Sequence, residues 1–147
     1  MSKVFQAFLT GLFFTFLLDF LLFLGVFLNY IQFLEIDLYY NILFADNQNI
    51  IVFLLFTSII GYLITYVENT KIVLSSILFL FTLASSSLIP KIGYEIGKKL
   101  LMKTNVTYKE KRYSFTGDAY YDGRKTITFY DYELKKVIVL QKDKLIK

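Results

Sequence analysis

The sequence predicts a membrane α-helical protein carrying a small β part: three transmembrane helices followed by a short antiparallel β-meander tail. Three apolar stretches, at about 4–28, 50–67 and 72–90, reach or approach the roughly 20 residues that cross about 30 Å of hydrocarbon. Charge is segregated along the chain. Residues 1–90 hold two Lys/Arg against five Asp/Glu, a net of −3, whereas residues 91–147 hold fourteen against seven, a net of +7. Beyond residue 105 the apolar pattern changes from helical spacing to alternation. The expected organisation is a three-span region over 1–90, an amphipathic helical extension or linker over 91–104, and a small basic β-meander over 105–147.

The first span is uncharged except for Asp19. An Asp at a helix centre costs about 2.5–3.5 kcal/mol on insertion, and each Leu or Phe contributes roughly 0.3–0.6 kcal/mol in favour. The eight Phe and eight Leu between Phe5 and Leu28 supply on the order of 7 kcal/mol, so the segment inserts. It is longer than the roughly 7–15 residues of a signal h-region and no small-residue cleavage site follows; it is expected to be retained. At 100° per residue, Ala7, Gly11, Thr15, Asp19, Gly25 and Asn29 share an arc of about 120°. The opposite side carries Phe13, Phe16, Phe20, Phe23 and Phe27, spaced 3-4-3-4. Small residues permit close helix approach in lipid. The Asp19 face is therefore expected inside the protein, with the Phe seam facing lipid or a partner helix.

The second and third spans are joined by Glu68–Lys71, a link short enough to predict a tightly packed helical hairpin. Ser58, Gly61, Tyr62 and Thr65 share one side of the second; Ser75, Thr82, Ser86 and Gly93 share one side of the third. These faces are expected to converge on Asp19, with Thr15, Ser58, Tyr62, Thr82 and Ser86 completing an intramembrane polar site. No Lys or Arg lies inside a span, so Asp19 has no internal ion-pair partner and is expected as a neutral acid hydrogen-bonded to neighbouring hydroxyls. The connection 29–49 is Tyr-rich and is expected along one membrane surface, with Tyr30, Tyr39 and Tyr40 at headgroup level.

Pro90, the single proline, ends or kinks the third span. Residues 92–102 are expected to continue as a surface helix, with Lys98, Lys99 and Lys103 near headgroups. Tyr113, Phe115, Ala119 and Tyr121 then predict a strand interrupted near 116–118. Asp122-Gly123 predicts a type I′ hairpin; Ile127 and Phe129 predict a second strand, and residues 136–140 a third. Three strands hold little core of their own, so the tail must pack on the helices, on a copy of itself or on a partner.

The chain has no Cys and no His, which excludes disulfides, thiol catalysis, Cys/His metal sites and His acid–base chemistry. Neither metal nor cofactor is expected, and no phosphate-binding Gly-rich loop occurs. Ser87 and Lys91 have the i, i+4 spacing of a Ser–Lys dyad, but lysines routinely flank spans. Glu35, Asp37 and Asp46 read as a solvated acidic loop. Arg112, Tyr113, Tyr121, Arg124 and Tyr130 make a Tyr/Lys-rich tail surface that, beside a membrane, meets anionic headgroups or protein rather than nucleic acid.

The function expected from this pattern is an accessory, assembly or stabilising subunit of a larger membrane complex, without enzymatic activity. Its partners would be membrane lipids and another integral membrane protein, with a homo-oligomer as a further arrangement. The alternative is a small oligomeric channel or ion-coupled transporter using Asp19. Codon-driven richness in Phe, Ile, Lys, Asn and Tyr points to an AT-rich bacterial genome, hence the inner membrane. Lys3 before the first span and the loop without Lys or Arg after it place the amino terminus in the cytoplasm and the tail in the periplasm. The lysines after residue 90 oppose that orientation.

Overall fold

The structure is a computed structural model describing residues 2–146. Five α-helices precede a four-stranded antiparallel sheet. Helix α1 (Lys3–Val26) runs on through a wider π-type turn, Phe27–Ile31, where Gln32 N–H reaches back five residues to the Phe27 carbonyl at 2.9 Å. Ser2 caps its start, accepting a hydrogen bond from Phe5 N–H. Then come α2 (Tyr40–Asn47), α3 (Ile50–Tyr66), α4 (Thr70–Ser86) and α5 (Pro90–Leu101). Asn49 and Asn69 cap α3 and α4 through their side-chain oxygens, and Pro90 occupies the first turn of α5, where its missing N–H costs nothing.

Among the described residues, only the continuous helix Lys3–Ile31 is by itself long and apolar enough to cross a membrane. Helices α2 and α3 together, and α4 and α5 together, pass the same test but are bent by 85° and 83°. The helix does break just before Pro90, as expected: α4 stops at Ser86, and the chain turns nearly at right angles into α5, which Pro90 begins.

Helix α1 is the centre of the bundle. Gly11 lies against the Thr57 carbonyl and Gly61 against the Ala7 carbonyl, so α3 packs along the first half of α1 with its backbone almost touching. Farther along α1, Gly25 meets Ser87 at the end of α4. Helices α3 and α4 scarcely touch one another. The tight hairpin expected from their short link does not form, because the small residues of α1 offer both helices a closer approach than they offer each other.

The tail has four strands rather than three: β1 (Lys103–Lys109), β2 (Ser114–Asp122), β3 (Thr126–Asp131) and β4 (Lys136–Gln141), in the order β1-β2-β3-β4. The unexpected strand is β1, which begins at Lys103, inside the expected linker. Strand β2 is continuous through residues 116–118, with a bulge between Ala119 and Tyr121. The hairpin at Asp122-Gly123 forms, but not as type I′: positive φ occurs at Glu35, Asn105 and Lys135 among the described residues, and at no glycine. Three residues close the turn instead, with Gly123 N–H on the Thr126 carbonyl at 2.9 Å.

The sheet curls until its ends meet. Ile146 N–H bonds the Lys109 carbonyl at 2.8 Å, and Glu110 bridges Leu145. This closure encloses a core of Ala119, Ile127, Phe129 and Leu140, which the three-strand expectation did not provide. A second core joins sheet to helices through Phe23, Val26, Tyr30, Ile31, Leu43, Leu101 and Tyr121.

Candidate functional site

Asp19 lies on the face of α1 that carries its small residues, and that face meets protein. Asp19 itself is half-buried and lines a cleft of about 280 Å³ between α1, α3 and α4. Its Oδ2 accepts a hydrogen bond from Gln48 Nε2 at 3.0 Å. Gln48 sits in the two-residue break between α2 and α3, so the carboxyl pins the 85° bend. The depth of Asp19 follows from the antiparallel pairing of α1 with α3. Thr57 is level with Gly11; eight residues onward in α1 is Asp19, and eight residues back in α3 is its cap, Asn49. Eight residues are about 12 Å, so Asp19 is level with the start of α3.

The converging hydroxyls expected around Asp19 are not there. Ser58, one residue from Thr57, lies about 12 Å away along the bundle. Its hydroxyl donates to Leu54 O at 2.9 Å, while Thr82 bonds Leu78 O at 2.8 Å and Ser86 bonds Leu83 O at 2.7 Å. Each is satisfied by its own helix, the usual outlet for Ser and Thr inside a helix, and needs no neighbour. Tyr62 is exposed and stacks on Tyr66 at 5.5 Å. The inward face of α3 is Thr57, Ile60 and Gly61, turned by about one residue from the expected Ser58–Tyr62 face, because Gly61 and the Thr57 carbonyl set the closest approach. Thr15 is buried in the same region, and its hydroxyl has no hydrogen-bond partner.

The Phe seam is partly covered from within the chain. Helix α2 lays Tyr40 against Phe20 and Phe27 and Phe44 against Phe16 and Phe23, with ring centroids 5.4–5.7 Å apart. Phe23 is buried, whereas Phe13 stays exposed. The residues opposing the seam, Tyr40 and Phe44, have the i, i+4 spacing that fits a 3-4-3-4 groove, a signal legible in the sequence. Residues 29–49 thus hold a π turn and a packed helix.

The tail residues fall into three environments. Arg112 and Tyr113 are exposed. Tyr130 is half-buried and stacks on Tyr120 at 6.1 Å. Tyr121 is not a surface residue: it is 6% exposed, inside the core that joins sheet to helices. Its position in the alternation with Ala119 already marked it as inward. Arg124 reaches α2, its Nε 2.9 Å from Asp46 Oδ2, so Asp46 belongs to an ion pair and not to a free acidic loop.

Sequence reasoning missed the residues that tie the two parts together. Tyr30 is fully buried, and its hydroxyl donates to the Tyr120 carbonyl at 2.8 Å. Tyr120 lies in the bulge of β2, outside the ladder with β3, so Tyr30 satisfies a carbonyl left unpaired there. Gly97 of α5 packs directly on the Tyr30 ring. Asn29 donates to the Ser87 carbonyl at 2.9 Å. Ser87 itself is buried, donating to Leu21 O and Ala84 O, which removes it as a nucleophile for Lys91.

One further charged cluster stands on the sheet. Asp122 meets Lys103 at 2.6 Å and Lys142 at 2.5 Å, joining β1, β2 and the turn after β4. Burial pushes its carboxyl up, but the two ammonium groups outweigh that and hold it below 3.8; hydrogen bonding to Asp122 raises Lys103 above 10.5. No group of three or more Asp or Glu placed to hold a metal occurs among the described residues. An open groove of about 690 Å³ lies where α5 meets the end of α1, lined by Leu28, Gln32, Phe33, Lys91 and Tyr94. Comparison with known protein families, curated proteins and solved structures finds no match to this chain.

Proposed function

We propose that this chain is a small integral protein of the bacterial inner membrane, acting as an accessory or assembly subunit of a larger membrane complex. Helices α1, α3 and α4 would cross the bilayer, with α2, α5 and the sheet gathered at one surface. The observation that carries the reading is the outer faces of α3 and α4: Ile51, Leu74 and Leu78 are 76%, 67% and 65% exposed. Charged residues near these helices lie at or beyond their ends, at Asp46, Glu68 and Lys71. In water, apolar faces of that extent are a liability; in hydrocarbon they need no cover. At 17 residues each, α3 and α4 meet the lower limit for a span.

The subunit role is supported by the exposed Phe13 end of the seam and the exposed Arg112–Tyr113 corner, which leave surfaces free at both levels. Orientation follows the flanks of α1, with the amino terminus cytoplasmic and the sheet periplasmic. Reporter fusions after Asn69 and after Lys147 test it. The protein should remain in membranes after alkaline carbonate extraction. A photocrosslinker at Phe13 or Tyr113 should then form a defined adduct with a different membrane protein. Self-adducts alone, or ion flux in liposomes that Asp19→Asn abolishes, would replace this reading with the oligomeric channel.

A further inference from the structure

We propose that the cleft between α3 and α4 holds one phospholipid whose headgroup carries a primary ammonium, as in phosphatidylethanolamine. Its ammonium meets Asp19 and one acyl chain runs between the helices. This rests on the membrane reading above.

Three features of the cleft define the ligand. Leu18, Val52, Phe53, Phe56, Leu80 and Leu83 supply apolar walls, and no cation among the described residues lines the space. Two polar groups interrupt those walls, Asp19 and Thr15. Asp19 uses Oδ2 to hold Gln48, while Oδ1 takes no hydrogen bond among the described residues. Thr15, one helical turn deeper, has a hydroxyl that is buried and without a partner. From the surface inward the cleft therefore offers a carboxylate and then hydrocarbon, with the Thr15 hydroxyl enclosed beside it. A phospholipid presents the complementary sequence in the same order: ammonium, then acyl chain.

Depth selects a lipid over a protein side chain. Asp19 is level with the Asn49 cap of α3, at the end of the bundle near α2, α5 and the sheet. In a bilayer that is the headgroup layer of one leaflet, where phospholipid is the most abundant molecule. The donor requirement distinguishes headgroups. An ammonium has three N–H donors for a carboxylate, whereas the quaternary ammonium of choline has the same charge and none.

The test is native mass spectrometry of the detergent-purified protein with phosphatidylethanolamine or phosphatidylcholine of identical acyl chains. One phosphatidylethanolamine should be retained with about tenfold preference, the size of a charge-assisted hydrogen bond. Asp19→Asn, which keeps an acceptor for Gln48, should erase the preference; Ala84→Phe, which fills the cleft, should remove the retained lipid of either kind. Should Asp19→Asn fail to fold, the parent preference and Ala84→Phe decide. Equal retention of both lipids, or a preference that survives Asp19→Asn, overturns the proposal. So does a crosslinker at Leu83 that captures a lysine-bearing helix and no lipid. Release of the protein by alkaline extraction overturns the membrane reading together with it; a membrane-retained protein without lipid preference overturns the cleft alone.

Discussion

Gly97→Ala tests the junction between helices and sheet by the sign of its effect. In an exposed helix, replacing Gly by Ala is favourable by about 1 kcal/mol. At Gly97 a Cβ would overlap the Tyr30 Cβ and lie 2.5 Å from Cγ, against ordinary contacts of 3.4–4 Å. One of the two elements must withdraw by about 1 Å, and neither has room. Tyr30 is fully buried and its hydroxyl is held 2.8 Å from the Tyr120 carbonyl. Overpacking typically costs about 1–3 kcal/mol, and a clash against a fully buried ring stands in the upper part of that range, about 2–3 kcal/mol, so the favourable helix term is outweighed and the variant should be less stable by about 1–2 kcal/mol. For a chain of this size that lowers Tm by roughly 3–6 °C. Thermal unfolding in detergent, followed by near-ultraviolet circular dichroism of the tyrosines, measures it. A melting temperature equal to or above that of the parent protein would refute the packing of α5 on Tyr30.

Three further outcomes follow from the same contacts. Tyr30→Phe leaves the bulge carbonyl of Tyr120 without its donor and should cost about 1–3 kcal/mol, seen as faster hydrogen exchange at Tyr121; unchanged exchange would sink the assignment. Arg124→Ala should increase proteolysis within α2 without loosening β3 and β4, whereas equal loosening of both would argue against a local tie to Asp46. Asp122 is held below 3.8 in the folded protein. Its contribution to stability is present above that value and is lost as pH falls through the lower folded value. The parent protein should therefore lose more stability than Asp122→Asn on acidification below about pH 4, and parallel pH profiles would count against the cluster.

The sequence exposed whatever depends on local pattern. Apolar runs located α1, α3 and α4, the small face of α1 anticipated its contact with α3, and alternation located β2, β3 and β4. What it hid depends on which of several equivalent surfaces approach most closely. Nothing local says that α3 and α4 each prefer α1 to one another; that is decided by Gly11, Gly25 and Gly61 acting across the chain. Serine and threonine hydroxyls mark a polar face in a sequence, yet in the folded helices Ser58, Thr82 and Ser86 are satisfied by their own backbones. Strand β1 was hidden because Lys103–Lys109 alternates weakly, and its pairing is supplied by β2. The Asp19–Gln48 bond spans 29 residues and rests on the bend at α3, which no periodicity predicts.

The position of Asp19 changes the physical problem it poses. The insertion cost of about 2.5–3.5 kcal/mol applies to a carboxyl at the centre of a span, and it is the reason such residues count as functional. On the membrane reading proposed above, Asp19, level with the cap of α3, would lie instead where a bilayer gives way to headgroups, and there Gln48 supplies a donor. Neither a proton relay nor a buried partner cation is then needed to keep the residue there. A carboxylate in that place still has an open oxygen above an apolar cleft, with an unpartnered hydroxyl one turn below. The unused hydrogen-bonding capacity of that oxygen, rather than the rarity of the charge, is the argument that Asp19 recognises something.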